Sequence, residues 1–175
     1  MIAPTFRPAT SSDVAALHRL IESAYRGDSA KAGWTHEADL LGGQRTDEAE
    51  LLDIVADVSR IILLAEVEGI LTGCVHVADQ GESLAYLGLL TVDPTRQAGG
   101  LGRLLIEAAE AEARSRFAAA RMEMTVIRQR SELIAWYERR GYALTGETRP
   151  FPLDETTFGL SDRDLTFVVM EKALG

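Results

Sequence analysis

The sequence predicts a mixed α+β fold with one central, mostly antiparallel sheet and about four helices. The chain has 175 residues, 46% of them hydrophobic, which suits one globular domain over residues 1–175. Three apolar segments of strand length lie between residues 60 and 92 with short turns between them, as in an antiparallel meander. A strand–helix–strand unit follows, so the sheet is mixed.

The N-terminal part predicts one short strand and two helices. The strand covers Ile2 to Pro8 and ends at proline. Thr10-Ser-Ser-Asp13 supplies N-cap chemistry for the first helix, whose buried face is Val14, Leu17, Ile21 and Ala24. Residues 26–46 predict a loop, and Thr46 is expected to cap a second helix with Leu51, Ile54, Val55 and Val58 at helical spacing.

The meander and the elements after it complete the predicted sheet. Its strands are Arg60–Val67, Leu71–Ala78 and Ser83–Val92, with turns at Glu68-Gly69 and Gln80-Gly81. An amphipathic helix follows at 102–118, with Leu104, Leu105, Ala108 and Ala111 facing inward. The last elements are a strand at 122–127, a helix at 131–140 stopped by Gly141, and strands at 142–148 and 165–171.

Charge and composition exclude several classes of function. The net charge is −9, which opposes nucleic-acid binding, and residues 1–93 carry all of the excess with 15 acidic and 6 basic residues. No apolar run is long enough to span a membrane, and residues 1–10 do not resemble a signal peptide. Cys74 is the only cysteine, so we expect a cytoplasmic protein without disulfide, cysteine–zinc site or other metal. The alanine-rich, lysine-poor composition is typical of bacteria.

The segment with the clearest chemistry is the glycine-rich turn from Val92 to Arg103. It leaves a buried strand and enters a helix, so backbone N–H groups and the positive helix end converge and can bind phosphate oxygens. Gly99, Gly100 and Gly102 would let a ligand approach the backbone, with Arg96 and Arg103 at the rim. The alternative is an ordinary turn whose glycines only supply positive φ.

Two familiar phosphate-binding motifs fit this turn poorly. A Walker loop requires lysine and then serine or threonine where the chain has Arg103 and Leu104. A dinucleotide fingerprint would use Gly100, Gly102 and a third glycine at position 105, where the chain has Leu105. Glu123 does stand where the ribose-binding acid of that fingerprint would be. The preceding strands are also linked as hairpins, which is not the dinucleotide-binding arrangement.

A third motif fits. Gln97-Ala-Gly-Gly-Leu-Gly102 has the form Q/R-x-x-G-x-G and resembles the coenzyme A-binding motif of the GNAT superfamily of N-acetyltransferases. Downstream, Leu133-Ile-Ala-Trp-Tyr137-Glu-Arg-Arg-Gly141-Tyr142 resembles the family's second motif. Together the two motifs cover residues 84–148. The resemblance implies a GNAT fold whose sheet is splayed at the cofactor strand.

The resemblance also implies an enzyme that moves an acetyl group from acetyl-CoA to a primary amine. Backbone N–H groups of Gln97, Ala98, Gly99, Gly100, Leu101 and Gly102 would hold the pyrophosphate, and Leu90, Thr91 and Val92 the pantetheine arm beside a strand bulge, with which Gly88 is compatible. Tyr137 would protonate the departing thiolate; the alternative for Tyr137 is a core tyrosine with its hydroxyl bonded.

Two positions depart from the family pattern. Arg130 stands where many members have a cofactor-contacting asparagine, and it either reaches a phosphate or is solvated. Thr125 stands where a glutamate base is common. Glu123 lies two residues away on the same strand face and is the substitute candidate, acting through water, with an exposed edge glutamate as the alternative.

The acceptor side depends on two loops that form the acceptor pocket in GNAT proteins. Trp34 and Phe151 would wall it, and Glu37 or Asp39 would attract a cation; the alternative is that both loops are ordinary solvated connections. The acidic first half predicts a cationic acceptor, while residues 96–149, with 10 arginines and 7 acids, would meet the anionic cofactor. We expect the acceptor to be a small-molecule or peptide amine, with a small molecule favoured over a protein. The sequence does not decide whether the protein forms a homodimer.

Two other functions compete with acetyl transfer. One is a non-catalytic module that binds acyl-CoA as a sensor. The other is a nucleotide-dependent oxidoreductase that uses residues 84–123 as a dinucleotide-binding unit.

Overall fold

A computed structural model describes residues 3–25, 46–150 and 166–175. In these ranges it contains a seven-stranded sheet and four α-helices. The strands are β1 (Thr5–Pro8), β2 (Arg60–Val67), β3 (Ile70–Gly81), β4 (Leu84–Val92), β5 (Arg121–Ile127), β6 (Ala143–Pro150) and β7 (Thr166–Ala173). The helices are α1 (Val14–Tyr25), α2 (Glu48–Ala56), α3 (Leu101–Phe117) and α4 (Ser131–Arg139).

The sheet confirms the predicted mixed α+β fold. Its order is β1-β2-β3-β4-β5-β7-β6, and every neighbouring pair is antiparallel except β4 with β5. The β2–β3 hairpin turns at Glu68 and Gly69, both at positive φ, as a tight two-residue turn requires. The next turn lies two residues beyond its predicted place, at Glu82 and Ser83, because β3 continues to Gly81.

Two buried clusters place the helices on opposite faces of the sheet. One cluster joins α3 and α4 to the face formed by Leu63, Val75, Leu87 and Met124. The other joins α1 and α2 to the opposite face of β2, β3 and β4. The predicted inward residues of α1 are confirmed, since Val14, Leu17, Ile21 and Ala24 are all buried.

Three details of the predicted helices are wrong. Asp47 caps α2 instead of Thr46, because its carboxylate accepts a hydrogen bond from the Glu50 backbone N–H at 2.8 Å while Thr46 is buried. Helix α2 ends at Ala56, which leaves Val58 94% exposed. The buried face of α3 includes Leu105 but not Ala111, which is exposed, because Ile106, Ala109, Glu110 and Ala113 face inward.

Candidate active site

A bulge interrupts β4 shortly before the glycine-rich turn. The pairing of β3 with β4 passes from His76–Gly88 to Cys74–Thr91, so three steps on β4 oppose two on β3. Leu89 has a φ of +49°, in the left-handed region that leucine rarely adopts. Its carbonyl accepts hydrogen bonds from the Thr91 hydroxyl at 2.9 Å and the Cys74 thiol at 3.5 Å. The bulge that the resemblance implied is therefore present, next to Gly88.

The hydrogen-bonded pairing of β4 with β5 ends early. It joins Leu84–Tyr86 to Arg121–Glu123 and goes no further in the described residues. Both strands run in the same direction, and β4 continues to Val92 while β5 continues to Ile127. The sheet therefore opens between the two strands toward the edge where the glycine-rich turn lies. This opening agrees with the expected splay.

The turn itself is a 3₁₀ segment, Pro94–Gly99, followed directly by α3. Asp93 fixes its start, because the Asp93 carboxylate accepts hydrogen bonds from the Thr95 backbone N–H at 3.0 Å and the Thr95 hydroxyl at 2.8 Å. Gly100 has a φ of +78°, which requires glycine at the helix start. Among the described residues, apart from the chain neighbours of each glycine, no atom lies within 4 Å of a Cβ placed on Gly99 or Gly100, so both face open space in this part of the structure.

Gly102 is a glycine for a different reason. A Cβ placed there would lie 3.3 Å from two ring atoms of Trp136, so the missing side chain lets α4 pack against the first turn of α3. Close packing between the helices is therefore a reason of its own for this glycine, and the expectation that Gly102 lets a ligand approach stays a prediction. The side chains of Gln97 and Ala98 lie outside what the structure describes.

The three arginines predicted to bind the cofactor have different environments. Arg96 is exposed, and Arg103 pairs with Glu107 at 2.9 Å along the surface of α3. The Arg130 side chain is only 7% exposed and pairs with Glu132 at 2.7 Å, so the alternative of a solvated Arg130 is wrong. Burial at the start of α4 makes Arg130 part of the local structure as well as a candidate ligand.

Tyr137 lies in the cluster under α3 and α4 and is 7% exposed. Its ring makes edge-to-face contacts with Trp136 at 5.2 Å and Tyr142 at 6.2 Å between centroids. These contacts fix the ring firmly. They fit a core tyrosine, and they also fit a proton donor that must be held in place.

Glu123 is buried, so the alternative of an exposed edge glutamate is wrong. Both of its carboxylate oxygens accept hydrogen bonds from Arg149, at 3.1 and 3.2 Å. The hydrogen bonds to Glu123, and then to Glu147, raise the pKa of Arg149 above its ordinary value. Thr125, on the same face of β5, is bound instead to Tyr86, whose hydroxyl lies 2.8 Å from the threonine Oγ1.

Besides the Glu123–Arg149 pair, the structure contains a buried hydrogen-bonded group around Glu110 that the sequence analysis did not identify. Glu110, buried on α3, accepts hydrogen bonds from Tyr142 at 2.8 Å and from Lys172 at 3.1 Å. Burial, and then the charge of Glu110, raise the pKa of Tyr142. Glu110 follows Ile106 by one helical turn, which was the signal available in the sequence. Glu110 and Lys172 border a cavity of about 200 Å³ that is lined also by Arg103, Arg139 and Arg140.

The predicted acceptor residues Trp34, Glu37, Asp39 and Phe151 all lie outside the described residues. Across residues 3–25, 46–150 and 166–175, no group of three or more His, Cys, Asp or Glu side chains could hold a metal ion. In the same ranges no helix has both the length and the apolar character needed to cross a membrane.

A mixed sheet that opens beside a bulged strand and a glycine-rich helix start has the form expected of an acyltransferase. The chain belongs to the acetyltransferase (GNAT) family, whose family model matches residues 15–142. No curated protein is significantly similar to it in sequence. The dinucleotide-binding alternative loses its basis, since β3 and β4 form an antiparallel hairpin before the turn.

Solved structures share the fold at low sequence identity. A putative acetyltransferase from Salmonella typhimurium, solved with acetyl-CoA, is 22% identical with a TM-score of 0.69, covering 98% of this chain and 94% of that one. A ribosomal-protein-alanine N-acetyltransferase from Brucella melitensis is 21% identical with a TM-score of 0.68, covering 97% and 99%. A spermidine N-acetyltransferase chimera from Vibrio cholerae is 17% identical with a TM-score of 0.71, covering 98% and 96%.

Proposed function

We propose that this acetyltransferase moves an acetyl group from acetyl-CoA directly to a primary amine. The observation that carries the proposal is the open space at Gly99 and Gly100, at the N-terminus of α3 and beside the end of the β4–β5 pairing. A backbone exposed in this way suits an anionic group, and an opening in the sheet suits a narrow extended arm. A structural neighbour solved with acetyl-CoA supports this choice of cofactor.

The residues present fit coenzyme A. Backbone N–H groups from Gln97 to Gly102, at the positive end of a 17-residue helix, would bind the pyrophosphate. Leu90, Thr91 and Val92 would bind the pantetheine arm along the strand edge that follows the bulge. Arg103 and Arg130 would bind phosphate oxygens only by sharing their charge with Glu107 and Glu132. The cofactor, when bound, supplies an activated acetyl thioester.

We propose that two residues transfer protons, and the structure supports Tyr137 in this role more than Glu123. Tyr137 would donate a proton to the departing thiolate, a transfer between groups of similar basicity, and its ring is held by Trp136 and Tyr142. Glu123 would act as a base through water, but its bidentate pair with Arg149 opposes that role. We therefore expect ordered water to take the proton from the amine.

The acceptor class and setting extend the proposal. We propose a small-molecule amine in preference to a protein, and a cationic one, since the acidic excess lies in residues 1–93. Trp34, Glu37 and Phe151 are the proposed acceptor-binding residues. We further propose a single catalytic domain in a bacterial cytoplasm, with a homodimer as one open arrangement. Proteins similar in fold are named for spermidine and for an alanine of a ribosomal protein, which defines the first acceptors to test.

A binding experiment tests the cofactor half of the proposal. Acetyl-CoA should raise the melting temperature of the protein, and NAD should not, because a ligand that binds only the folded state stabilises it. Gly99→Ala is the informative variant, since its methyl group meets no atom within 4 Å in the described residues beyond its chain neighbours. It should melt as the wild type does without ligand and show a smaller shift with acetyl-CoA. An undiminished shift would mean that the cofactor does not contact residue 99.

A transfer assay tests the catalytic half. Thiol release from acetyl-CoA is followed with spermidine, an N-terminal-alanine peptide and a lysine peptide. Tyr137→Phe keeps the ring contacts and should lower kcat about 10-fold or more if the hydroxyl protonates the thiolate. Acetyl-CoA binding without transfer to any amine would favour the sensor alternative. If acidic or neutral amines are the best acceptors, the acidic half serves only solubility.

A further inference from the structure

The Tyr86 side chain crosses the point where β4 and β5 part. Tyr86 is the last residue of β4 paired with β5, opposite Glu123. Its hydroxyl lies 2.8 Å from Oγ1 of Thr125, which is two residues further along β5. The phenol therefore joins the two strands just beyond the end of their backbone pairing, at the narrow end of the opening.

The backbone of β4 leaves room for this ring. A Cβ placed on Gly88 would lie 3.0 Å from Cε1 of Tyr86 and 3.6 Å from Nδ1 of His76. Any side chain at position 88 would displace the ring, so the glycine is explained by the tyrosine next to it. The ring thus leans along β4 toward Gly88, next to the bulge at Leu89.

The side of the sheet on which Tyr86 lies decides what it can contact. Leu87 and Met124 point to the opposite face and are buried under α3 and α4. Tyr86 and Thr125 point to the α1–α2 face, where the described apolar cluster reaches β2, β3 and Leu89 but includes no residue of β5. Within the described part of the chain, this is therefore the face from which an acceptor can approach the opening.

The hydroxyl pair has hydrogen-bonding capacity to spare. Each hydroxyl offers one donor and two acceptor positions, and the mutual hydrogen bond uses one donor and one acceptor. The nearby carboxylate of Glu123 is already bound by Arg149 through both oxygens. Tyr86 is thus better placed than Glu123 to accept a hydrogen bond from a ligand.

We propose that Tyr86 binds the acceptor amine and that Thr125 positions Tyr86 for this role. The inference rests on the proposed acetyl transfer and deepens it. The amine N–H donates to the Tyr86 hydroxyl oxygen, which aims the nitrogen lone pair at the thioester carbon. The new C–N bond forms and the C–S bond breaks, while one proton leaves nitrogen for water and the sulfur gains one. Tyr86 holds the nitrogen and is not consumed.

The test uses Tyr86→Phe, Thr125→Val and the rescue variant Thr125→Ser, with Thr145→Val as control. Thr145 also donates a side-chain hydrogen bond, to the Val169 carbonyl at 3.2 Å, but on β6. Transfer is measured with acetyl-CoA and whichever of the three acceptors above the wild type uses fastest. Tyr86→Phe should lower kcat/KM for the amine about 3- to 10-fold, the effect of one neutral hydrogen bond. KM for acetyl-CoA should stay within about twofold of wild type.

The positioning role of Thr125 is tested by non-additivity. Thr125→Val should lower kcat/KM for the amine less than Tyr86→Phe does, and Thr125→Ser should restore it. The double variant should be no worse than Tyr86→Phe alone, because Thr125 acts through the tyrosine hydroxyl. Thr145→Val should behave as the wild type.

Three results would overturn the inference. Tyr86→Phe could leave kcat/KM for the amine unchanged, the two substitutions could add, or the affinity for acetyl-CoA could fall by the same factor as kcat/KM. The last result would mean that the pair only holds the strands. A wild type that transfers acetyl to no amine would remove the proposed function and this inference together, whereas an active wild type with an equally active Tyr86→Phe would remove the inference alone.

Discussion

Leu89 offers a direct test of the bulge that opens the sheet. We compare its replacement by glycine and by alanine with the same two replacements at Leu87. Both leucines are buried, at 6% and 2% exposure, and both lie on β4. Only Leu89 has a positive φ. The comparison therefore separates the cost of the left-handed backbone from the loss of an apolar side chain.

The magnitudes follow from the two backbone conformations. Removing either leucine side chain costs about 2–5 kcal/mol of unfolding free energy. In an ordinary strand, glycine is a further ~0.5–1 kcal/mol less stable than alanine. A left-handed residue other than glycine carries about 1–2 kcal/mol of strain, which glycine relieves. At Leu89 we therefore expect glycine to be more stable than alanine by about 0.5–1 kcal/mol, and at Leu87 the reverse.

Urea unfolding of the four variants measures these differences. The glycine-minus-alanine difference should differ between the two positions by about 1–2 kcal/mol, with unchanged m values. If alanine is more stable than glycine by the same amount at both positions, Leu89 carries no backbone strain. The positive φ of Leu89 would then have no cost to the stability of the bulge.

Four further substitutions test the electrostatics of the fold. Hydrogen bonds from Arg7 hold the pKa of Asp13 below its usual range, so Asp13→Asn should cost about 1 kcal/mol at pH 7 and progressively less below pH ~4, as urea titrations at several pH values can show. Burial raises the pKa of Cys74 to about 12. The thiol's contribution to stability is therefore complete below about pH 8.5 and is lost as the pH rises from there toward 12, so alkaline destabilisation should be smaller in Cys74→Ala, as the same urea titrations can show. Lys172→Met leaves the Glu110 carboxylate buried without its lysine and should cost roughly 2 kcal/mol of unfolding free energy. This is less than the cost of breaking a fully buried pair, because the lysine side chain is 28% exposed. Adding Glu110→Gln to Lys172→Met should recover part of the lost stability in the same unfolding assay.

Local patterns predicted the fold well because they act over short distances. The limits of β2 match the prediction residue for residue, since its apolar run is bounded by a polar turn and a hairpin turn. Helix α4 ends within one residue of its predicted end, because Gly141 at a φ of +102° stops it. The bulge was implied by the family resemblance, and Gly88 was only compatible with it. It depends on hydrogen bonds that Thr91 and Cys74 make to one carbonyl, and the Cys74 contact spans 15 residues of sequence.

The polar groups of the site could not be predicted in the same way, because their partners are distant in the chain. Glu123 is bound by Arg149, 26 residues later, and Glu110 by Lys172, 62 residues later. Thr125 seemed only a departure from the family pattern until the structure placed it against Tyr86, 39 residues earlier. The periodicity of a strand or helix shows which face a residue lies on, but not which side chain meets it there.

The same distant pairs change the meaning of the charge count. Residues 96–149 hold three more arginines than acids, which suggested a basic surface for an anionic cofactor. In the structure, a glutamate pairs with each of Arg103, Arg116, Arg121, Arg130 and Arg149. Much of the positive charge is therefore already neutralised, and a phosphate would have to compete with carboxylates for it. At the start of α3, by contrast, Gly99 and Gly100 are exposed and carry no side chain that would keep a phosphate away from the backbone. The affinity for an anionic cofactor should thus depend more on this turn than on the arginines around it.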